Sequence, residues 1–324
     1  MKKAVDGATK KFGEKHVKTA HYMKNLGTAY GMQRDFVHAA LLTERAVRIE
    51  AELYPPGSPD VVNGLNNLGN MQLTLGRLAD AQRTLEEARA RNRDAGHDES
   101  LGQTFVLGNL ARVREARGDL GGAAELLAQA RATATKVVGP DHARTVTLDL
   151  QAARVDFLRD PKTAPALEKI ASAIVASPEK LAQFRARSEP EARYALGLAE
   201  SARGDPAKAG ATWRDAVAAL PADHVDPLTF PLIVALARSE VADGKSGEAK
   251  ALLSGYIARA GRELPAAHYG IGALHLALAG ALAAAGDGGA RAELDKADAA
   301  FGELPPAHPW RAESAALRKR LEPR

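Results

Sequence analysis

An internal period of 42 residues is the feature that most constrains what this chain of 324 residues can fold into. Three matching triplets stand at that spacing: Asn25-Leu26-Gly27, Asn67-Leu68-Gly69 and Asn109-Leu110-Ala111. Two columns of alanine keep the same frame: Ala39, Ala81 and Ala123, and Ala46, Ala88 and Ala130. Because the pattern repeats, we expect one supersecondary unit stacked many times rather than a chain wrapped around a single core.

Weaker copies continue the pattern towards the C-terminus. They are marked by Leu196-Gly197, Leu236-Ala237 and Leu278-Ala279. One degenerate unit lies between the regular copies and these, at residues 147–177. The chain therefore contains about seven repeats.

Each unit has the periodicity of helices. Apolar residues recur three and four positions apart, as at Leu75, Leu78 and Leu85, with a glycine between the two apolar runs. Five glycines hold that place: Gly76, Gly118, Gly204, Gly244 and Gly286. We expect them to take a positive φ in the turn of a helix–turn–helix unit. Gly27 and Gly69 are expected to let the two helices of their units approach closely.

The motif resembles the tetratricopeptide repeat, which has Leu-Gly and then an aromatic residue on its first helix, a turn glycine, and two alanines seven residues apart on its second. The residues that match in the first copy are Leu26, Gly27, Tyr30, Ala39 and Ala46. The period and the linker Gly139-Pro140-Asp141-His142 look like the kinesin-light-chain subclass. The high content of alanine, arginine and glycine is similar to the repeat tails of bacterial serine/threonine kinases. The resemblance implies an all-α, right-handed superhelical α-solenoid of about seven helix–turn–helix repeats with a C-terminal capping helix.

We expect a single solenoid over residues 1–324. Its predicted parts are a partial leading repeat and linker at 1–20, three regular repeats at 21–138, a degenerate repeat at 139–185, three further repeats at 186–303 and a capping helix at 304–324. Ala4 and Val5 stand 42 residues before Ala46 and Val47. This register predicts that the sequence starts inside the second helix of a unit and is part of a larger protein.

Charge and composition argue against several classes of partner. Residues 1–24 hold seven lysines against Asp6 and Glu14, while the remaining residues sum to a net charge of −1, so no basic stripe for nucleic acid follows the fold. The most apolar stretch, residues 271–285, is too short to span a bilayer. With no secretion signal and no cysteine, we expect a cytoplasmic protein without nucleic-acid or membrane partners.

We expect no catalytic residues, no metal site and no cofactor. The nine histidines include no pair at helical ligand spacing, and no nucleophile or dinucleotide motif is present. His16 and His142 occupy equivalent linkers, and each is predicted to bond to the end of a nearby helix. The chain is therefore predicted not to be an enzyme.

A face rich in amides is the predicted binding site. In the family it resembles, the first helices line a concave groove that holds a peptide or helix of a partner. The predicted groove residues are Lys24, Asn25, Asn63, Asn66, Asn67, Asn70, Asn109, Arg112 and Gln151. Four of the asparagines share one helix face by their spacing, and those one period apart would form a ladder of amides. An amide can both donate to and accept from a peptide backbone.

One alternative remains open for the role of the asparagines, and one for the function of the chain. The asparagines could instead bond neighbouring helices and only fix the packing of the repeats. The leading hypothesis is a non-catalytic scaffold for a protein or peptide partner, as a docking or sensor module of a larger bacterial signalling protein. The alternative is a structural spacer without a peptide ligand that self-associates through the solenoid ends.

Overall fold

A computed structural model describes residues 2–55, 57–177 and 185–322, and this part of the chain contains sixteen α-helices and no strand. In the described residues, short loops join consecutive helices, and three of these loops contain a single 3-10 turn. The fold is an all-α repeat solenoid. Two compact units are distinguished by their contacts, residues 1–116 with 125–139 and residues 117–124 with 140–324.

The helices are numbered in chain order. The first six lie in the first unit: α1 (Lys2–Phe12), α2 (Val17–Met32), α3 (Phe36–Leu53), α4 (Pro59–Thr74), α5 (Leu78–Asp94) and α6 (Leu101–Ala116). Residues of both units form α7 (Leu120–Val138). The others lie in the second unit: α8 (Ala143–Arg159), α9 (Ala164–Ala176), α10 (Arg185–Ala202), α11 (Pro206–Ala218), α12 (Phe230–Ala242), α13 (Ser246–Glu263), α14 (Tyr269–Ala284), α15 (Ala290–Ala300) and α16 (Pro309–Arg320).

The sequence period is also the period of the helices. The first helices α2, α4, α6, α8 and α10 begin at residues 17, 59, 101, 143 and 185, each 42 residues after the one before. Within a repeat, the two helices pack as a hairpin, as α2 packs on α3 and α14 packs on α15.

Small residues bring the paired helices together, as predicted. Every alanine of the two sequence columns is buried to 0% exposure: Ala39, Ala46, Ala81, Ala88, Ala123 and Ala130. A Cβ added at Gly27 would stand 3.0 Å from Thr43 Oγ1, and one added at Gly69 would stand 2.5 Å from Leu85 Cγ. The prediction that these two glycines permit close approach is confirmed, because a larger side chain would push the helices apart.

The turn glycines also behave as predicted. Their φ angles lie between 69° and 89°: Gly76, Gly118, Gly204, Gly244 and Gly286. In the first hairpin the equivalent position, 42 residues before Gly76, is Arg34 with φ of 64°. A residue with a Cβ pays a steric cost of about 1–2 kcal/mol in this left-handed conformation.

Replacing Arg34 with glycine is expected to stabilise the α2–α3 hairpin by about 0.5–1 kcal/mol. The variant removes the steric cost of the turn, and the greater freedom of glycine in the unfolded chain offsets part of that gain. Amide hydrogen exchange in α2 and α3 measures the change. Arg48→Gly is the matched control, since glycine inside α3 should cost about 1 kcal/mol. Faster exchange in Arg34→Gly would contradict this account.

Histidine caps four of the helices. The backbone N–H two residues further along donates to the ring Nδ1 of the capping histidine at 3.0–3.2 Å in α2, α8, α14 and α16. The capping residues are His16, His142, His268 and His308. The prediction that His16 and His142 bond to a nearby helix end is confirmed, whereas the other two caps were not predicted. Because Nδ1 accepts a hydrogen bond, each ring caps its helix in the neutral form.

Candidate functional site

The asparagine-rich face of α4 carries exposed and half-buried amides. Asn63 and Asn67 are exposed, while Asn66 and Asn70 are half-buried. Asn66 turns towards α6, where Asn109 Nδ2 donates to Asn66 Oδ1 at 3.0 Å. One residue of helix corresponds to a rotation of about 100°, so Asn67 points away from that contact. We call the surface of Asn63, Asn66, Asn67, Asn70 and Asn109 the amide face.

The structure therefore pairs different amides from those of the predicted ladder. Asn109 stands one period after Asn67, but its side chain bonds to Asn66. Asn25 bonds within its own helix, with its Nδ2 3.1 Å from His21 Nε2. For Asn66 and Asn109, the observed bond has the form expected of residues that fix repeat packing. Asn63 and Asn67 are exposed.

The cations of the predicted site differ in their surroundings. Lys24 Nζ lies 2.6 Å from a carboxylate oxygen of Glu50, so its charge is balanced inside the protein. Arg112 is half-buried on α6. Gln151 lies on α8 in the second unit, where it is buried and its Oε1 has no hydrogen-bond partner. The predicted groove residues thus belong to two separately described units.

Sequence reasoning missed the buried polar partners of the first unit. Glu50 is 2% exposed and pairs with Lys24, and Asn92, one period later, donates to Gln103 Oε1 at 2.8 Å. Ala8 and Ala134 hold the same position in the neighbouring copies. A polar residue in a column otherwise occupied by alanine was the signal that could have identified both pairs.

The described residues contain neither a metal-binding cluster nor a helix that could cross a membrane. Among residues 2–55, 57–177 and 185–322, no group of three or more His, Asp or Glu side chains is placed to hold a metal ion. In the same residues, no helix combines the length and the apolar character needed to cross a membrane.

Comparison with known families supports the repeat assignment. Models described as tetratricopeptide repeat match residues 63–87, 106–144 and 190–215. The chain is a tetratricopeptide repeat protein. Its repeats make this tetratricopeptide repeat protein a protein-interaction scaffold. No curated protein matches its sequence significantly.

Solved structures share the fold of the tetratricopeptide repeat protein. NprR, in complex with its cognate peptide NprX, has a TM-score of 0.70 at 15% identity, over 94% of this chain and 83% of NprR. Rap protein, complexed with Competence and Sporulation Factor, has a TM-score of 0.53 at 15% identity, over 99% of this chain and 96% of Rap. BtubC (BKLC) from P. vanneervenii has a TM-score of 0.52 at 19% identity, over 67% of this chain and 85% of BtubC. At these identities the likeness concerns the fold alone.

Proposed function

We propose that this tetratricopeptide repeat protein is a non-catalytic scaffold that binds a peptide or helix of a partner through its amide face. The observation that carries the proposal is the exposure of Asn63 and Asn67, one turn apart on α4, beside the bonded pair Asn66 and Asn109. The bonded pair joins α4 to α6 through one side-chain hydrogen bond. The two exposed amides can then meet the N–H and C=O groups of a bound chain without a large ordering cost.

The cellular role is the second part of the proposal. Two proteins of the same fold, NprR and Rap, were solved with a peptide and with a factor bound. We infer a similar use here, as a docking or sensor module of a larger bacterial signalling protein in the cytoplasm. The chemistry at the amide face supports this role because it offers hydrogen bonds for recognition and no group for catalysis.

Replacing Asn63 and Asn67 together with alanine is expected to weaken peptide binding by about tenfold or more, the loss of one or two hydrogen bonds to the ligand. A displayed library of random peptides, selected on the full chain, supplies the ligands. Fluorescence anisotropy then measures their affinity for the wild-type protein and for the variant. Helicity should not fall, because both side chains are exposed and alanine favours helix.

Arg83→Ala is the control for this experiment, since Arg83 is exposed on α5. It should leave the affinities unchanged. Equal binding by the wild-type protein and the double alanine variant would exclude the amide face as the binding site. If no peptide is enriched and the mass in solution rises with concentration, the alternative function holds, that of a self-associating spacer.

A further inference from the structure

A groove at the start of the first unit is the second surface suited to a partner. A cavity of about 690 Å³ opens between α1 and α2, and its floor is formed where α3 ends and α4 begins. The residues that line it include Ala4, Gly7, Lys11, Lys18, His21, Glu50 and Asp60. We call this cavity the α1–α2 groove.

One wall of the α1–α2 groove is a face of α1 with small side chains. Ala4, Gly7 and Lys11 follow at three- and four-residue spacing, which places them on one side of the helix, and all three are exposed. A Cβ added at Gly7 would meet nothing within 4 Å. The space is therefore open down to the backbone of α1.

The equivalent face of α3, one period later, indicates which kind of element packs on this wall. Ala46 stands 42 residues after Ala4, on the corresponding face of α3. There the face is covered, because Ala46 is fully buried in a cluster with Ala20 and Met23 of α2. The same helical face packs on a helix in one repeat and is exposed in the groove. A helix is thus the element that the α1–α2 groove fits.

The lysines at the rim of the groove determine which charge a bound helix should carry. Lys11 Nζ lies 5.3 Å and Lys18 Nζ 4.8 Å from the centre of the Phe12 ring, so both ammonium groups lie beside this residue at the rim. His21 lies one turn beyond Lys18. Asp60, at the start of α4, also lines the groove, but Lys11 and Lys18 outnumber it and leave the rim with a net positive charge. It favours an acidic partner.

Glu50 at the floor of the groove is already engaged inside the protein. It is 2% exposed, and its Oε1 lies 2.6 Å from Lys24 Nζ. Its Oε2 is buried, 3.6 Å from where a Cβ on Gly64 of α4 would stand, so it faces α4. The charges of Glu50 and Lys24 therefore offset each other at the floor.

We propose that the α1–α2 groove binds an acidic amphipathic helix of a partner protein. The small apolar residues of that helix pack against Ala4 and Gly7, and its carboxylates meet Lys11 and Lys18. Asn63 and Asn67 are not needed for this binding. Binding in the α1–α2 groove is therefore expected to be independent of binding at the amide face.

A displayed library of random peptides of about 16 residues, between four and five helical turns, is the probe. It is selected on the full chain and counter-selected on the Lys11→Glu, Lys18→Glu double variant. We expect enriched sequences with Asp or Glu three and four residues apart beside an apolar face. A synthetic peptide with the enriched sequence should gain helicity on binding, as seen by circular dichroism.

Three variants of the full chain test where those peptides bind. Lys11→Glu with Lys18→Glu should weaken binding by about tenfold or more, because it reverses the charge of the rim. Lys3→Glu with Lys10→Glu is the charge-matched control, as both lysines are exposed and lie outside the groove, and it should weaken binding by less than about threefold at physiological salt. Gly7→Leu should abolish binding by filling the groove, and its helix should form at least as well.

Several outcomes would overturn the proposal. These are the absence of enrichment, a basic or aperiodic consensus, and equal binding by the wild-type protein and the Gly7→Leu variant. A concentration-dependent dimer that Gly7→Leu abolishes would assign the groove to a second copy of the chain instead. The variant Asn63→Ala with Asn67→Ala should bind the acidic peptides as the wild-type protein does, which separates this proposal from that for the amide face.

Discussion

Replacing Phe301 with alanine is expected to destabilise the last helices of the second unit by about 3–5 kcal/mol, the usual cost of deleting a buried aromatic ring. Phe301 directly follows α15 and is fully buried, and its ring stacks on Trp310 of α16 at a centroid distance of 5.9 Å. On the other side lies Gly272 of α14, where an added Cβ would stand 2.7 Å from Phe301 Cε1. Residues of α14 and α16 thus lie against the ring, and neither can fill the cavity without moving its helix.

The backbone contacts of α16 should survive this substitution. The Arg311 guanidinium donates to the carbonyl oxygens of Phe301 and Leu304, and both carbonyls remain in the variant. The loss is therefore one of packing. Amide hydrogen exchange in α14, α15 and α16 measures it locally, which suits stacked repeats because they need not unfold as one unit.

Leu228→Ala is the control for Phe301→Ala. Leu228 belongs to the same unit but is 43% exposed, so its truncation should cost less than about 1 kcal/mol. Similar exchange rates in the two variants would show that Phe301 does not hold α16 against the preceding helices.

Replacing Gly197 with alanine is expected to destabilise the α10–α11 hairpin by about 1–3 kcal/mol. A Cβ at this position would stand 2.2 Å from Trp213 Nε1, which donates to the Tyr194 carbonyl oxygen at 3.1 Å. The indole would have to move away and lose that hydrogen bond. Alanine is favoured over glycine inside a helix by about 1 kcal/mol, so the steric effect must outweigh the propensity for this result to appear.

Gly280→Ala is the matched control for Gly197→Ala. Gly280 is interior to α14, and an added Cβ there would meet nothing within 4 Å. Its substitution should stabilise the protein by about 0.5–1 kcal/mol. Urea unfolding followed by tryptophan emission measures both variants. A rise in stability in both would contradict the close approach of α10 and α11.

Much of the fold could be predicted from the sequence because its signals are local. The 42-residue period located successive first helices, and the glycines at the turns and at the close approaches were identified by position. Arg34 departs from this pattern. It stands 42 residues before Gly76, and only the structure revealed that it takes the positive φ of the turn glycines.

The candidate site was predicted less completely. The sequence placed the asparagines on one face of α4, but the choice between Asn66 and Asn67 as the partner of Asn109 depends on the rotation of α4 against α6. Glu50 could have been noticed in the sequence, because it stands in a column that holds alanine in other copies. Its partner Lys24 lies 26 positions away, and only the packing of α2 on α3 identifies it.

The sequence alone determined the unit, its repetition and the residues that let its two helices meet, because helix periodicity and glycine geometry act over a few residues. The tertiary structure decided which polar side chains bond to other groups of the protein and which are exposed. That division depends on the packing of one helix on the next, where a rotation of one residue, about 100°, turns a side chain from a neighbour towards solvent. This packing leaves Asn63 and Asn67 exposed, pairs Lys24 with Glu50 and leaves the α1–α2 groove open beside Lys11.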